Sequence, residues 1–100
     1  MKKILFLVIS TLIFSPSNAE KISVFNGTQY DLNNFNCNFV TSSVLDRACY
    51  NSKDGIMVVQ LKGKWYSYCS VSSYTFQNLV QAQSVGRYYN ENVRGNFKCS

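Results

Sequence analysis

Four cysteines restrict most strongly what this chain can fold into: Cys37, Cys49, Cys69 and Cys99. An even cysteine count in a short exported domain predicts two disulfides, which persist in an oxidising compartment. A zinc site is disfavoured, because the chain has no CxxC pair and no histidine. Two bridges suit a domain of roughly 80 residues, whose apolar core alone supplies only a few kcal/mol of net stability.

The N-terminus predicts export. Met1-Lys2-Lys3 is a short basic segment, residues 4–14 are almost entirely apolar, and Ser17-Asn18-Ala19 places small residues before Glu20. This is the layout of a cleavable secretory signal. The apolar run is too short for a membrane-spanning helix, which needs roughly 20 residues. We therefore predict a signal peptide over residues 1–19 and a mature periplasmic or secreted protein that has no membrane span.

The mature domain is mildly basic. The full chain has a formal net charge of +5, and cleavage removes Lys2 and Lys3, which leaves a net charge near +3. That charge permits an acidic partner but does not require one. It is far from the dense basic stripe that is typical of nucleic-acid-binding proteins.

The pattern after residue 42 predicts a three-stranded antiparallel meander. The strand candidates are residues 43–50, 56–61 and 65–69, separated by turns at residues 51–55 and 62–64. Asp54-Gly55 is a strong hairpin signal, and residues 56–61 are rich in β-branched side chains. An extra N-terminal strand is predicted at residues 21–25. Residues 31–38 are rich in asparagine and aspartate, which predicts a loop.

The apolar period then changes from that of a strand to that of a helix. After an N-cap at Ser72 or Ser73, the apolar positions recur at helical spacing, at Phe76, Leu79 and Val80. We expect this helix to end near residue 84, with Gly86 as the left-handed residue beyond its end.

A second, shorter helical turn is predicted over residues 87–94. Val85, Tyr89 and Val93 are spaced four apart, which predicts three core positions, and Gly95 can end the turn. The predicted fold class is therefore α+β: a three-stranded meander, with the candidate N-terminal strand, packed by one amphipathic helix and a short second helical turn.

Strand order restricts the disulfide pairing. Cys49 and Cys69 end the first and third strands of the meander, about 9–10 Å apart, which is too far for a bridge. We therefore favour Cys37–Cys49 with Cys69–Cys99, and keep Cys37–Cys69 with Cys49–Cys99 as the second pairing.

The stretch from residue 43 to about residue 97 resembles the KTSC domain family, named for its occurrence at the C-terminus of some lysyl-tRNA synthetases. Tyr66-Ser67-Tyr68 matches the central Tyr-x-Tyr of the family, and Val71 with the following helix matches its next segment. The run Ser84-Val85-Gly86-Arg87-Tyr88-Tyr89-Asn90-Glu91-Asn92-Val93-Arg94-Gly95-Asn96-Phe97 is similar to the family's tail, "S-x-G-x-Y-F-N-x-x-I-R-G-x-Y".

The resemblance implies a small α+β domain of unestablished function, for which RNA binding has been suggested from the synthetase context. Export weakens that suggestion, because an exported protein rarely meets RNA. Cys49, Cys69 and Cys99 look particular to this exported form, and Ser72 stands where the family has proline. We divide the mature chain into an N-terminal extension, residues 20–42, and a KTSC-like domain, residues 43–99.

Six residues are the candidates for ligand binding: Arg87, Tyr88, Asn90, Arg94, Tyr66 and Tyr68. Arginine forks suit carboxylate or phosphate, and tyrosine rings stack on sugars or bases. Each candidate also has a structural interpretation. Tyr66 and Tyr68 share a strand face and can be core, Arg94 can cap its own helix, and Asn90 can close a turn.

Catalysis is disfavoured, because without histidine a serine such as Ser84 has no ordinary general base. The acids show no paired spacing. We expect no enzyme, no cofactor and no metal. Two functions stay open: a binding module for a protein or an envelope polymer, and a binder of nucleic acid or another anionic ligand through the arginines and tyrosines.

Overall fold

The computed structural model describes residues 20–99, so the predicted signal peptide over residues 1–19 lies outside the described residues. Within them, the strands are β1 (Lys21–Ser23), β2 (Gln29–Asp31), β3 (Asn36–Phe39), β4 (Leu45–Asn51), β5 (Ile56–Leu61) and β6 (Lys64–Tyr68). The helices are α1 (Ser73–Gln81) and α2 (Val85–Tyr88). A 3₁₀ turn, Leu32–Asn34, precedes β3, and a π-helical turn, Tyr89–Val93, continues α2.

The predicted meander is confirmed as β4, β5 and β6, which are antiparallel neighbours in that order. Between β5 and β6, Lys62 and Gly63 have φ angles of 50° and 85°. Two consecutive left-handed residues are what a two-residue type I′ hairpin turn requires. The Gly63 N–H also donates to Asp46 Oδ2 at 3.1 Å, which ties this turn to β4.

A fourth strand, β3, pairs with β4 and extends the sheet to the order β3-β4-β5-β6. The prediction of a loop over residues 31–38 is therefore wrong for residues 36–38, which belong to β3, and for Asp31, which ends β2. β3 alternates asparagine with Cys37 and Phe39, but its asparagines favour a loop, and all four of its residues are exposed. Its order comes from the backbone ladder with β4 and from the disulfide between Cys37 and Cys49, which lie directly opposite each other.

The predicted N-terminal strand is β1, but it does not extend the main sheet. It forms a hairpin with β2 and meets β6 at a single parallel bridge between Val24 and Trp65. Ile22 and Val24 pack with Val58 and Trp65, whose side chains lie on one face of the sheet. The hairpin therefore covers this face, and the helices cover the other.

Coverage on both faces explains the apolar run in β5. Successive side chains of a strand point to opposite faces, so Met57 and Val59 face the helices while Val58 faces the hairpin, and all three are fully buried. The helix-side core also contains Leu45, Ala48, Tyr50, Tyr68, Val71, Phe76, Leu79, Val85, Tyr89 and Val93. The prediction that Val85, Tyr89 and Val93 are core residues is confirmed.

Helix α1 begins as predicted. The Ser72 side chain accepts a hydrogen bond from the Thr75 N–H at 3.1 Å and so caps the first turn. The helix ends at Gln81, earlier than the sequence predicts, because Ala82 is extended with a ψ angle of 142°.

The prediction that Gly86 ends α1 is wrong. Gly86 lies inside α2, whose N-cap is Ser84, and a Cβ at Gly86 would lie 3.4 Å from Cγ2 of Val44. That distance is an ordinary van der Waals contact, so the packing of α2 against the segment before β4 does not require glycine at this position. Gly95 does end the second helical segment as predicted, with a φ angle of 82°.

The disulfides join Cys37 to Cys49 and Cys69 to Cys99, the pairing favoured from the strand order. The first bridge fastens β3 to β4 at one edge of the sheet. The second fastens the end of the described chain to the residue that follows β6 at the opposite edge. Each bridge therefore fixes a segment that has little apolar contact of its own.

A candidate ligand cleft at the edge of strand β6

Strand β6 is one of the two edge strands of the four-stranded sheet. Other parts of the chain cover its outer edge at two points. The Trp65 carbonyl accepts a hydrogen bond from the Phe25 N–H at 3.0 Å. Beyond the end of β6, the Cys69 N–H donates to the Phe97 carbonyl at 2.8 Å. The β1–β2 hairpin and the C-terminal tail therefore each occupy one outward-facing position.

The position between these two points is open. In a strand, the backbone groups of alternate residues point to the same edge, so the N–H and C=O of Ser67 point outward like those of Trp65 and Cys69. Within residues 20–99, no backbone hydrogen bond from the hairpin or the tail reaches Ser67. Ser67 lines a cavity at this point, which is consistent with an unoccupied edge position.

We call this cavity the β6 cleft. It has a volume of about 260 Å³ and is lined by Val24, Phe25, Asn26, Tyr66, Ser67, Tyr68, Gly95, Asn96, Lys98 and Cys99. The lining contains one charged side chain, that of Lys98, and no carboxylate. The cleft therefore combines apolar rings, two amides and one cation, a set of groups that suits a ligand with an apolar part and a negative charge.

An exposed aromatic ring stands at the mouth of the cleft. The Phe25 side chain is 81% exposed, on the side of the segment opposite the buried Ile22 and Val24. Its ring stacks on that of Tyr66, with centroids 6.0 Å apart and an angle of 24° between the planes. Exposed aromatic rings beside a concavity are typical anchors for partners.

Tyr66 and Tyr68 lie on the same strand face, as predicted, but only Tyr66 has the character of a binding residue. Tyr68 is buried, and its hydroxyl forms a hydrogen bond with the hydroxyl of Tyr89. Burial, with this hydrogen bond as the next cause, raises the pKa of Tyr68 far above its ordinary value, and the charge of Arg94 opposes that shift. Tyr68 therefore belongs to the core and forms the floor of the cleft.

The other four candidates lie on the second helical segment. Arg87 and Tyr88 line a separate groove of about 360 Å³, together with Glu91. Asn90 and Arg94 are exposed and line neither the groove nor the β6 cleft. The Arg94 N–H donates to the Tyr89 carbonyl at 2.9 Å, which closes the π-helical turn. The structure therefore does not bring the six candidates together.

Sequence reasoning missed Phe25, Ser67 and Lys98. Phe25 has the parity of Lys21 and Ser23, opposite Ile22 and Val24, so strand alternation indicated an exposed ring there. Ser67 differs from its neighbours only in where its backbone points. Lys98 stands in the tail with no motif around it. For Lys98, the available signal was the predicted pairing of Cys69 with Cys99, which brings the tail to the end of β6.

Two features of the described part of the chain restrict its chemistry. Residues 20–99 contain no group of three or more side chains of the metal-binding types close enough to hold a metal ion. None of their helices is long and apolar enough to cross a membrane.

An antiparallel sheet with helices on one face and two disulfides defines a small α+β domain, and comparison identifies its family. The KTSC domain model matches residues 41–97, so the chain belongs to the KTSC domain family. A crystal structure of the KTSC domain protein YPO2434 from Yersinia pestis matches with a TM-score of 0.62 and 25% sequence identity, covering 66% of this chain and 94% of that chain. No curated protein matches the chain. The family resemblance predicted from the tail motif is confirmed.

Proposed function

We propose that this KTSC domain protein is an exported, non-catalytic binding module that docks on a protein partner through the β6 cleft, in the periplasm or outside the cell. The observation that carries the proposal is the exposed Phe25 ring stacked on Tyr66 at the mouth of the cleft. A buried aromatic anchor supplies much of the energy of a protein interface. The secretory leader pattern and the two disulfides support export.

The chemistry of the cleft supports binding over catalysis. Its ionisable side chains are Tyr66, Tyr68 and Lys98, and no carboxylate or histidine stands beside them to act as a general base. The groove at Arg87 and Tyr88 is a weaker candidate for nucleic acid, because Glu91 in the same groove would repel phosphates.

The test is affinity capture from periplasmic extract and culture medium with the oxidised mature domain as bait. We expect Phe25→Ala to weaken capture of the partner by about tenfold or more, as loss of an interface anchor does. Tyr74→Ala is the matched control, because Tyr74 is 74% exposed on α1 and does not line the cleft. Equal capture by Phe25→Ala and the wild-type protein would overturn the proposal.

The same experiment distinguishes the other ligand classes. Recovery of an envelope polysaccharide through Phe25, with no protein, would replace the protein partner by an envelope polymer. Binding to nucleic acid that falls steeply with added salt and depends on Arg87 would favour the alternative function. Intact-mass measurement of the exported bait tests processing, and we expect a mature chain that begins at Glu20.

A further inference from the structure

The open edge position at Ser67 restricts the shape of what enters the β6 cleft. Alternate residues of a strand are about 6.6 Å apart, so the hairpin at Trp65 and the tail at Cys69 leave room for one partner residue beside Ser67. A strand that continued in both directions would collide with the segments that carry Phe25 and Phe97. The geometry therefore suits the end of a chain and excludes an uninterrupted added strand.

The charges in the cleft select which end of a chain fits. Lys98 supplies a positive charge, and among residues 20–99 the lining contains no side-chain carboxylate that could pair with an N-terminal ammonium group. The outward N–H of Ser67 and the amide group of Asn26 can donate hydrogen bonds to an anion, whereas the Asn96 amide already donates to the Asn92 carbonyl at 3.3 Å. A C-terminal carboxylate matches this set of groups.

The apolar part of the lining indicates the side chain that accompanies this carboxylate. Val24, Phe25 and Tyr66 form one wall, and the exposed face of the Phe25 ring is the largest apolar surface at the mouth. An aliphatic or aromatic terminal side chain would bury its surface against that ring.

We propose that the β6 cleft captures the free C-terminal residue of the partner protein. The partner backbone occupies the edge position beside Ser67, its terminal carboxylate pairs with Lys98, and its apolar side chain packs on Phe25. This is edge-strand recognition shortened to one residue by the hairpin and the tail. The inference rests on the proposed function and specifies what the binding module recognises.

The test is a titration of the ¹⁵N-labelled, oxidised mature domain, followed by NMR. The probes are a pool of N-acetylated tripeptides that end in an apolar residue with a free carboxylate, and the same pool as C-terminal amides. We expect the free acids to shift the amide signals of Ser67 and Lys98, and the amides to bind at least about tenfold more weakly because one charge-assisted hydrogen bond is lost. Equal shifts from both pools, or no shift at Ser67, would overturn the inference.

Two pairs of variants separate the backbone contribution from the charge contribution. Ser67→Pro removes an N–H that faces solvent at a sheet edge, where proline is tolerated, and should abolish binding of the free acids, while Ser67→Ala should keep it. Lys98→Gln should weaken binding of the free acids by about tenfold, while Lys53→Gln, the same charge change at the exposed β4–β5 turn, should not.

The outcomes also distinguish this inference from the proposed function. If Phe25→Ala abolishes capture of a partner while Lys98→Gln and Ser67→Pro do not, the binding module stands and capture of a C-terminus is wrong. If Ser67→Pro does not fold, the comparison of the two peptide pools and the lysine pair still decide the matter. If Phe25→Ala, Lys98→Gln and the peptide pools all have no effect, both proposals fail.

Discussion

The hydroxyl groups of Tyr68 and Tyr89 lie inside the helix-side core, where each is the side-chain partner of the other. We expect Tyr89→Phe to lower the free energy of unfolding by about 1–3 kcal/mol, because it leaves the Tyr68 hydroxyl buried without its partner. The double variant, Tyr68→Phe with Tyr89→Phe, should recover much of that loss. Urea unfolding of the three proteins measures the effect, and a single variant as stable as the wild type would contradict it.

The raised pKa of Tyr68 predicts how stability depends on pH. A free tyrosine titrates near pH 10, and burial raises the pKa of Tyr68 well above that value. Above pH about 10, the unfolded chain releases this proton while the folded chain keeps it, so the free energy of unfolding falls as pH rises. Below that pH, the group contributes no slope. Urea unfolding between about pH 8 and pH 11 should show the fall, and it should be less steep in Tyr68→Phe.

Arg47 shows how a single residue joins separate layers. Its guanidinium donates to both carboxylate oxygens of Glu20, at 3.2 and 2.7 Å, and lies over the rings of Phe39 and Trp65, at 5.3 and 5.0 Å from their centroids. These hydrogen bonds lower the pKa of Glu20. This ion pair holds Glu20, the residue predicted to begin the mature chain, against β4. No sequence pattern predicts the pair, because its two residues are far apart along the chain.

At the scale of elements, the two glycines of the tail motif differ in backbone conformation, so we expect opposite effects when each is replaced by alanine. Gly86 has room for a methyl group in ordinary contact with Val44 and Ser42, so we expect Gly86→Ala to raise the free energy of unfolding by up to about 1 kcal/mol through helix propensity. Gly95 has a φ angle of 82°. Gly95→Ala should therefore lower the free energy of unfolding by about 1 kcal/mol or more. Thermal melts of both variants decide this, and equal effects of the two substitutions would contradict it.

The elements that the sequence predicts well are those with many buried apolar side chains. α1 buries apolar side chains at helical spacing, β5 is a continuous apolar run buried on both faces, and the turns between β4, β5 and β6 give their order. β3 could not be predicted in the same way, because its side chains are all exposed and its pairing depends on β4 and on a disulfide. The prediction for Gly86 was wrong because this glycine lies inside α2 and does not adopt a left-handed conformation.

For the whole molecule, the candidate site could be predicted much less well than the fold. The β6 cleft combines a residue of the hairpin, Phe25, a residue of the meander, Ser67, and a residue of the tail, Lys98. Only the tertiary arrangement brings these segments together, and one of the contributing groups is backbone, which every residue type except proline supplies in full. The tail motif that identifies the family serves mainly to bury Val85, Tyr89 and Val93 and to close the π-helical turn.

The hairpin completes the molecule, although it precedes the segment that the KTSC model matches, residues 41–97. Its Ile22, Val24 and Leu32 cover Val58 and Trp65 on the second face of the sheet. A chain that lacks residues 20–35 would expose this apolar face and lose the wall of the cleft that carries Phe25. We expect the truncated protein to self-associate or to lose cooperative unfolding, because a contiguous exposed apolar patch drives association.

Single substitutions test how much the hairpin layer contributes to stability without removing the hairpin. Ile22→Ala removes buried side-chain volume from the hairpin layer and should lower the free energy of unfolding by about 2–4 kcal/mol. Phe25→Ala removes an exposed ring and should change the free energy of unfolding by no more than about 0.5 kcal/mol. Size-exclusion chromatography of the truncated chain and urea unfolding of both variants provide the measurements. A monomeric truncated chain with wild-type stability would show that the fold is stable without residues 20–35, and the hairpin would then serve the cleft only.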